Sequence, residues 1–138
     1  MWYSPNAKVV TTVTAHTSSA TTMAIEIQEF SGIATTGSLD VATGTSNTST
    51  TAGSGAVTPT AANDLVVGFV AGQGNGEAIT VTAPGYTPQP QQSTTGTGIA
   101  SVITGFQVLT SASSQTMMGS FAQAMYWSSG IATFKPAN

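Results

Sequence analysis

Leucine occurs only at Leu39, Leu65 and Leu109 in this chain of 138 residues. No segment repeats apolar residues at i, i+3, i+4 and i+7 over three turns. An amphipathic helix buries itself through that stripe, so helices are a poor way for this chain to build a core. Its apolar segments are instead rich in Val, Ile and Thr, whose branched Cβ suits a pleated surface. Turn residues interrupt them at short intervals: Gly53 and Gly55, Pro59, Gly72 to Gly76, Pro84-Gly85, Gly96 to Gly98. Short β-branched runs at this spacing predict an all-β sandwich or barrel. The length predicts one domain over 1–138.

The strands are expected over 8–15 and 23–30, then as short peripheral pieces over 40–45 and 56–58. A hairpin of 64–71 and 78–82 would close around "GQGNG", its Asn75-Gly76 pair suiting the positive φ of a tight turn. Strands over 99–109, 116–123 and 124–135 complete the set. The low-complexity stretch 34–64 reads as weakly hydrophobic edge strands, because Leu39, Val41, Ala56 and Val57 keep interrupting it. "SGIAT" occurs at 31–35 and at 129–133; the flanks differ, so it is not a structural repeat.

Only 5% of the residues are charged, against about 25% in an ordinary soluble domain. The polar surface therefore comes from Ser, Thr, Asn, Gln and Gly, a composition that suits an extracellular or cell-surface setting. Lys8 and Lys135 are the only basic side chains, so nucleic acid and anionic membranes are not expected partners. No apolar run approaches the roughly 20 residues of a membrane-spanning helix. The absence of Cys excludes disulfides, thiolate metal sites and Cys nucleophiles. The opening "MWYSPNAKVV" has neither the charged nor the apolar region of a signal peptide.

Glu26 and Glu29 invite comparison with the carboxylate pair of glycoside hydrolases. In an extended strand Ile25, Ile27 and Glu29 share one face, and Ala24, Glu26, Gln28 and Phe30 the other. A glycosidase pair must flank one bond at roughly 5 to 10 Å, which two opposite faces cannot do. The first set is expected to face the core. Glu26 is then solvated, and Glu29 bonds backbone amides near the strand end. His16, the only histidine, reads as an exposed loop residue. No G-x-S-x-G elbow is present, and no helix follows "GQGNGE" to make it a phosphate loop. No catalytic residue and no organic cofactor is expected.

Glu29, Asp40 and Asp64 are the candidate oxygen ligands for Ca²⁺, although no EF-hand loop pattern exists. The competing reading places Asp64 in an "AAND" turn, bonding its own backbone. Trp2, Tyr3, Tyr86, Tyr126 and Trp127 are the candidate carbohydrate-binding residues, since exposed aromatic faces stack on sugar rings. Adjacent aromatics in a strand point opposite ways, so Trp2-Tyr3 and Tyr126-Trp127 each put at most one ring in the core. Core packing is the alternative for each.

Five phrases occur in a recognisable order: "WYSPNA" at 2–7, "AIEIQEFSGIATTGSLDV" at 24–41, "TPTAANDLVVGF" at 58–69, "PGYT" at 84–87 and "WSSGIATFKP" at 127–136. Together they resemble a module of unassigned function that recurs in large secreted or surface proteins of bacteria. The resemblance implies an antiparallel, jelly-roll-like or lectin-like β-sandwich, with no activity to carry over. It also implies that one or two strands preceding "WYSPNA" are missing, leaving an open edge. The expected function is a non-catalytic structural, adhesive or self-assembling module, homo-oligomeric through edge strands. The alternative is a carbohydrate-binding module with a polysaccharide partner; a small glycan or ester hydrolase ranks third.

Overall fold

The computed structural model describes residues 1–74, 76–95 and 98–137. Among them there is no helix; the chain is all-β, antiparallel and sandwich-like. The strands are β1 (Leu39–Gly53), β2 (Leu65–Gly74), β3 (Thr80–Val81), β4 (Thr87–Pro88), β5 (Gln92–Ser93), β6 (Ile99–Val108) and β7 (Met118–Phe134). They join in one open sheet ordered β1-β7-β2-β6-β4, with β3 on β7 and β5 on β6.

That sheet becomes two layers because β7 turns a corner. Met125 pairs with Ser49, but Ser120 pairs with Thr51, so residues 121–124 have no partner on β1. Before the corner, Gly119 pairs with Ala52 and Val81. After it, Trp127 pairs with Gly72. The first part of β7 lies across the face of β2: a Cβ built on Gly119 would sit 3.1 Å from Val70 Cγ2. Strands that switch layers through a bulge are a regular way to make such corners.

The core between the layers holds Val66, Val70, Ile103, Met117, Phe121, Trp127 and Ile131. Met117 is fully buried and held in place by Ser54, which is equally buried: Met117 N–H donates to Ser54 Oγ at 3.0 Å, and Ser54 N–H to Met117 O at 3.0 Å. A smaller apolar cluster, Leu65, Val67, Ala132 and Phe134, lies on the opposite, outer face. It is covered by Phe30, Ile33 and Phe106, with Tyr3 edge-on to Phe134 at 5.3 Å.

Five expectations change. Residues 8–15 are exposed throughout and form no strand: β-branched residues favour an extended chain, but a strand also needs a partner. Residues 23–30 are extended and alternate in burial, yet are likewise unpaired. No hairpin joins 64–71 to 78–82, because β2 pairs with β6 and β7 on its two sides and Thr80–Val81 pairs with β7. Of the proposed turn, Gly76 has a positive φ of 74°, and Asn75 lies outside the described residues. Finally, 116–123 and 124–135 are one strand, and 40–45 opens a 15-residue edge strand.

Candidate functional site

Three sets of residues carry candidate chemistry. The first is the segment over the outer face. Its alternation is as expected but the faces are reversed: Ala24, Glu26, Gln28 and Phe30 are half-buried against the sheet, while Ile25, Ile27 and Glu29 are exposed. The cause is Phe30, whose ring packs edge-on against Phe106 at 5.2 Å. That anchor fixes the parity, and parity brings Glu26 inward. Glu26 Oε1 accepts from Gln28 Nε2 at 2.8 Å and from the Thr104 hydroxyl. Glu26 Oε2 and Gln28 Oε1 are buried with no donor among the described residues. Glu26 is thus not solvated, and Glu29, being exposed, does not cap amides of a buried strand end. The two acids point to opposite sides of the segment, as needed to exclude a shared bond.

The second set comprises the aromatics. Trp127 is buried, and its Nε1 donates to Ser49 Oγ at 2.9 Å. Its neighbour Tyr126 is 54% exposed on the outer face. Trp2 is almost fully exposed and Tyr3 half-exposed against Phe134. Tyr86 packs on the inter-layer core; its hydroxyl is buried without a partner, and burial raises its pKa above the ordinary value of 10.0. Tyr3 and Tyr126 therefore stand on one face. Two shallow grooves lie beside them, of about 370 and 490 Å³. They share Phe69 as a common wall, and the floor of the first is kept low by Gly44 and Gly130. His16 is exposed and lies outside any strand.

The third set lies at the end of the sandwich where β1 and β2 begin and β7 ends. A register shift between Leu39 and Ala42 breaks the alternation of β1 there and frees Asp40 from the regular pairing, as bulges do. Asp40 Oδ2 accepts from Thr60 N–H at 2.6 Å, and Oδ1 from the Thr60 hydroxyl at 2.8 Å. Lys135 Nζ stands 3.6 Å from Asp40 Oδ1. The Thr60 main-chain N–H, then the Thr60 hydroxyl and the Lys135 ammonium, hold the Asp40 carboxyl below its ordinary pKa, against an opposing contribution from burial.

Asp64 adjoins this carboxyl and is fully buried. Its main-chain carbonyl accepts from Leu109 N–H at 3.0 Å, but neither side-chain oxygen meets a donor at bonding geometry among the described residues. The expected bond to its own backbone is not made. Burial first, and the neighbouring Asp40 charge second, push its pKa above the ordinary value, while the Thr133 hydroxyl and Lys135 act the other way. Asp40 and Asp64 come together, and Glu29 is exposed elsewhere; no group of three His, Cys, Asp or Glu residues forms among the described residues.

No protein-family model, curated protein or solved structure matches this chain.

Proposed function

We propose that this chain is a non-catalytic, extracellular or cell-surface β-module with a structural or adhesive role, and that it assembles with copies of itself by strand addition at its N-terminal segment. The observation that carries this is the state of residues 8–30. Residues 8–15 are rich in β-branched side chains, 23–30 alternate in burial, neither belongs to a strand, and no main-chain hydrogen bond joins 8–30 to a described residue. Val9, Val10 and Val13 are 99%, 66% and 57% exposed. An extended chain with free N–H and C=O groups and alternating apolar side chains is the substrate of strand addition. Residues 8–15 of one copy pair with 23–30 of another, adding a strand over the outer face. Low charge supports this, since little repulsion opposes close approach. The resemblance noted above and the hydroxyl-rich composition support the extracellular setting.

Light scattering across micromolar concentrations tests the assembly. Dimers or larger species are expected, with Val10→Pro or Val13→Pro returning the chain to monomers. A folded monomer at every concentration would refute it.

A second reading is favoured by Tyr3 and Tyr126 standing beside grooves on the same face: this face binds an extended polysaccharide. Co-sedimentation with insoluble polysaccharides, lost in Tyr126→Ala, would support it. Equal sedimentation of Tyr126→Ala would oppose it.

A further inference from the structure

The pair at the end of the sandwich is poorly explained by the protein's own groups. A buried carboxylate without donors is costly, and folded proteins keep one only when something compensates it. Asp64 is such a group: fully buried, with both oxygens unpartnered among the described residues. A proton shared with Asp40 would satisfy one of those oxygens and leave the other to the Thr133 hydroxyl alone, which adjoins it but stands outside bonding geometry. A cation bound by the carboxylate would satisfy both.

We propose that Asp40 and Asp64 are the two carboxylate ligands of a Ca²⁺ site, completed by neutral oxygens of the surrounding elements. Every candidate ligand there is a hard oxygen. The Asp40 carboxylate has acceptor capacity beyond its two bonds to Thr60, because an ionised carboxylate offers about four lone-pair sites. The Thr133 hydroxyl adjoins Asp64, and the Ser38 carbonyl is brought to the same end by its bond from Lys135 N–H at 2.8 Å. The chain has no Cys, and its single histidine, His16, is exposed in the N-terminal segment, which disfavours zinc and the softer metals. Ca²⁺ accepts irregular sets of carboxylate, hydroxyl and carbonyl oxygens, whereas Mg²⁺ demands near-octahedral geometry. Two carboxylates match the charge of a divalent ion once the Lys135 ammonium, now 3.6 Å from Asp40, has turned outward.

Lys135 is the built-in competitor. Its ammonium holds Asp40 from the rim and is itself 46% exposed, so it is free to turn outward when the ion enters. This distinguishes the site from a plain ion pair, where removing the lysine would leave Asp40 weaker and bind nothing.

The experiment is calcium titration of chelator-stripped protein by calorimetry, with thermal unfolding in parallel. One ion per chain is expected, with the midpoint rising by about 10 °C at a hundredfold excess over Kd. Asp64→Asn should abolish both effects while keeping the β-type circular dichroism, and Glu29→Gln should change neither. Lys135→Ala should bind several-fold more tightly; this variant keeps the test decisive if Asp64→Asn does not fold. The proposal is overturned by no heat and no thermal shift up to about 10 mM Ca²⁺, ten times the weakest affinity of extracellular calcium modules. It is equally overturned by unchanged affinity in Lys135→Ala.

Discussion

The fold-back of β7 onto β2 makes Gly68 the most demanding position in the core. A Cβ added there would lie 2.6 Å from Met117 Cβ and 2.7 Å from Met117 Cγ. Carbon atoms in contact prefer about 3.5 to 4.0 Å, so the two must part by about 1 Å. Met117 Cβ is bonded to the backbone, and that backbone is clamped to Ser54 in both directions. The strain thus falls on the layer spacing and not on a rotamer. Overpacking of this kind costs about 1 to 3 kcal/mol, and the entropy lost by the unfolded chain on replacing glycine returns about 0.4 to 1 kcal/mol. Gly68→Ala should therefore destabilise by about 1 to 2 kcal/mol. Gly72→Ala meets Met125 Sδ at 2.6 Å and Phe121 Cε1 at 3.0 Å; both are ends of side chains, the methionine a pliable one, and not atoms fixed to a backbone, so it should cost less than Gly68→Ala. Gly53→Ala, with nothing within 4 Å, serves as the control. Urea unfolding at constant m-value gives all three. If Gly68→Ala is as stable as Gly53→Ala, the first part of β7 does not lie on β2 and the two-layer arrangement is wrong.

Two further outcomes follow from the carboxylates. Glu26→Ala removes the acceptor shared by Gln28 and Thr104 and should cost about 1 to 2 kcal/mol, whereas exposed Glu29→Ala should stay within about 0.5 kcal/mol; the same unfolding assay separates them. In chelator, stability should rise as the pH falls from 7 toward the ordinary carboxylate value of 3.8, because the raised pKa of Asp64 makes its ionised form the less stable one when folded. Below that value the loss of Asp40 ionisation, whose folded pKa is lowered, reverses the trend. Asp64→Asn should remove the first limb and keep the second, as read from unfolding midpoints against pH.

β2, β6 and the end of β7 were legible because they are dense in Val, Ile and Phe and bounded by turn residues. The two N-terminal segments have the same local character but lack partners, which propensity does not encode. "SGIAT" illustrates the limit: at 129–133 it lies in the last part of β7, and at 31–35 it is a loop with Gly32 at φ 74°. Alternation along 24–30 was readable, but which face turns inward depended on Phe30 meeting Phe106, a contact made across 76 residues of chain. β1 was underestimated because an edge strand with one wet face needs few apolar residues. Asp40 and Asp64 were visible as acids, but their convergence arises from the register shift at the start of β1, and no residue type announces it.

The corner in β7 also sets where this chain can change length during evolution. Between 126 and 134, Trp127 and Ile131 belong to the inter-layer core, while Ala132 and Phe134 belong to the outer cluster and Tyr126 lines the outer groove. A one-residue insertion there would exchange the two sets, as any slip of register does. Ala122, Gln123 and Ala124 are exposed and have no partner on β1. An insertion among them would lengthen the corner and leave both registers intact. Viable length variants of this strand should therefore carry their extra residues at the corner.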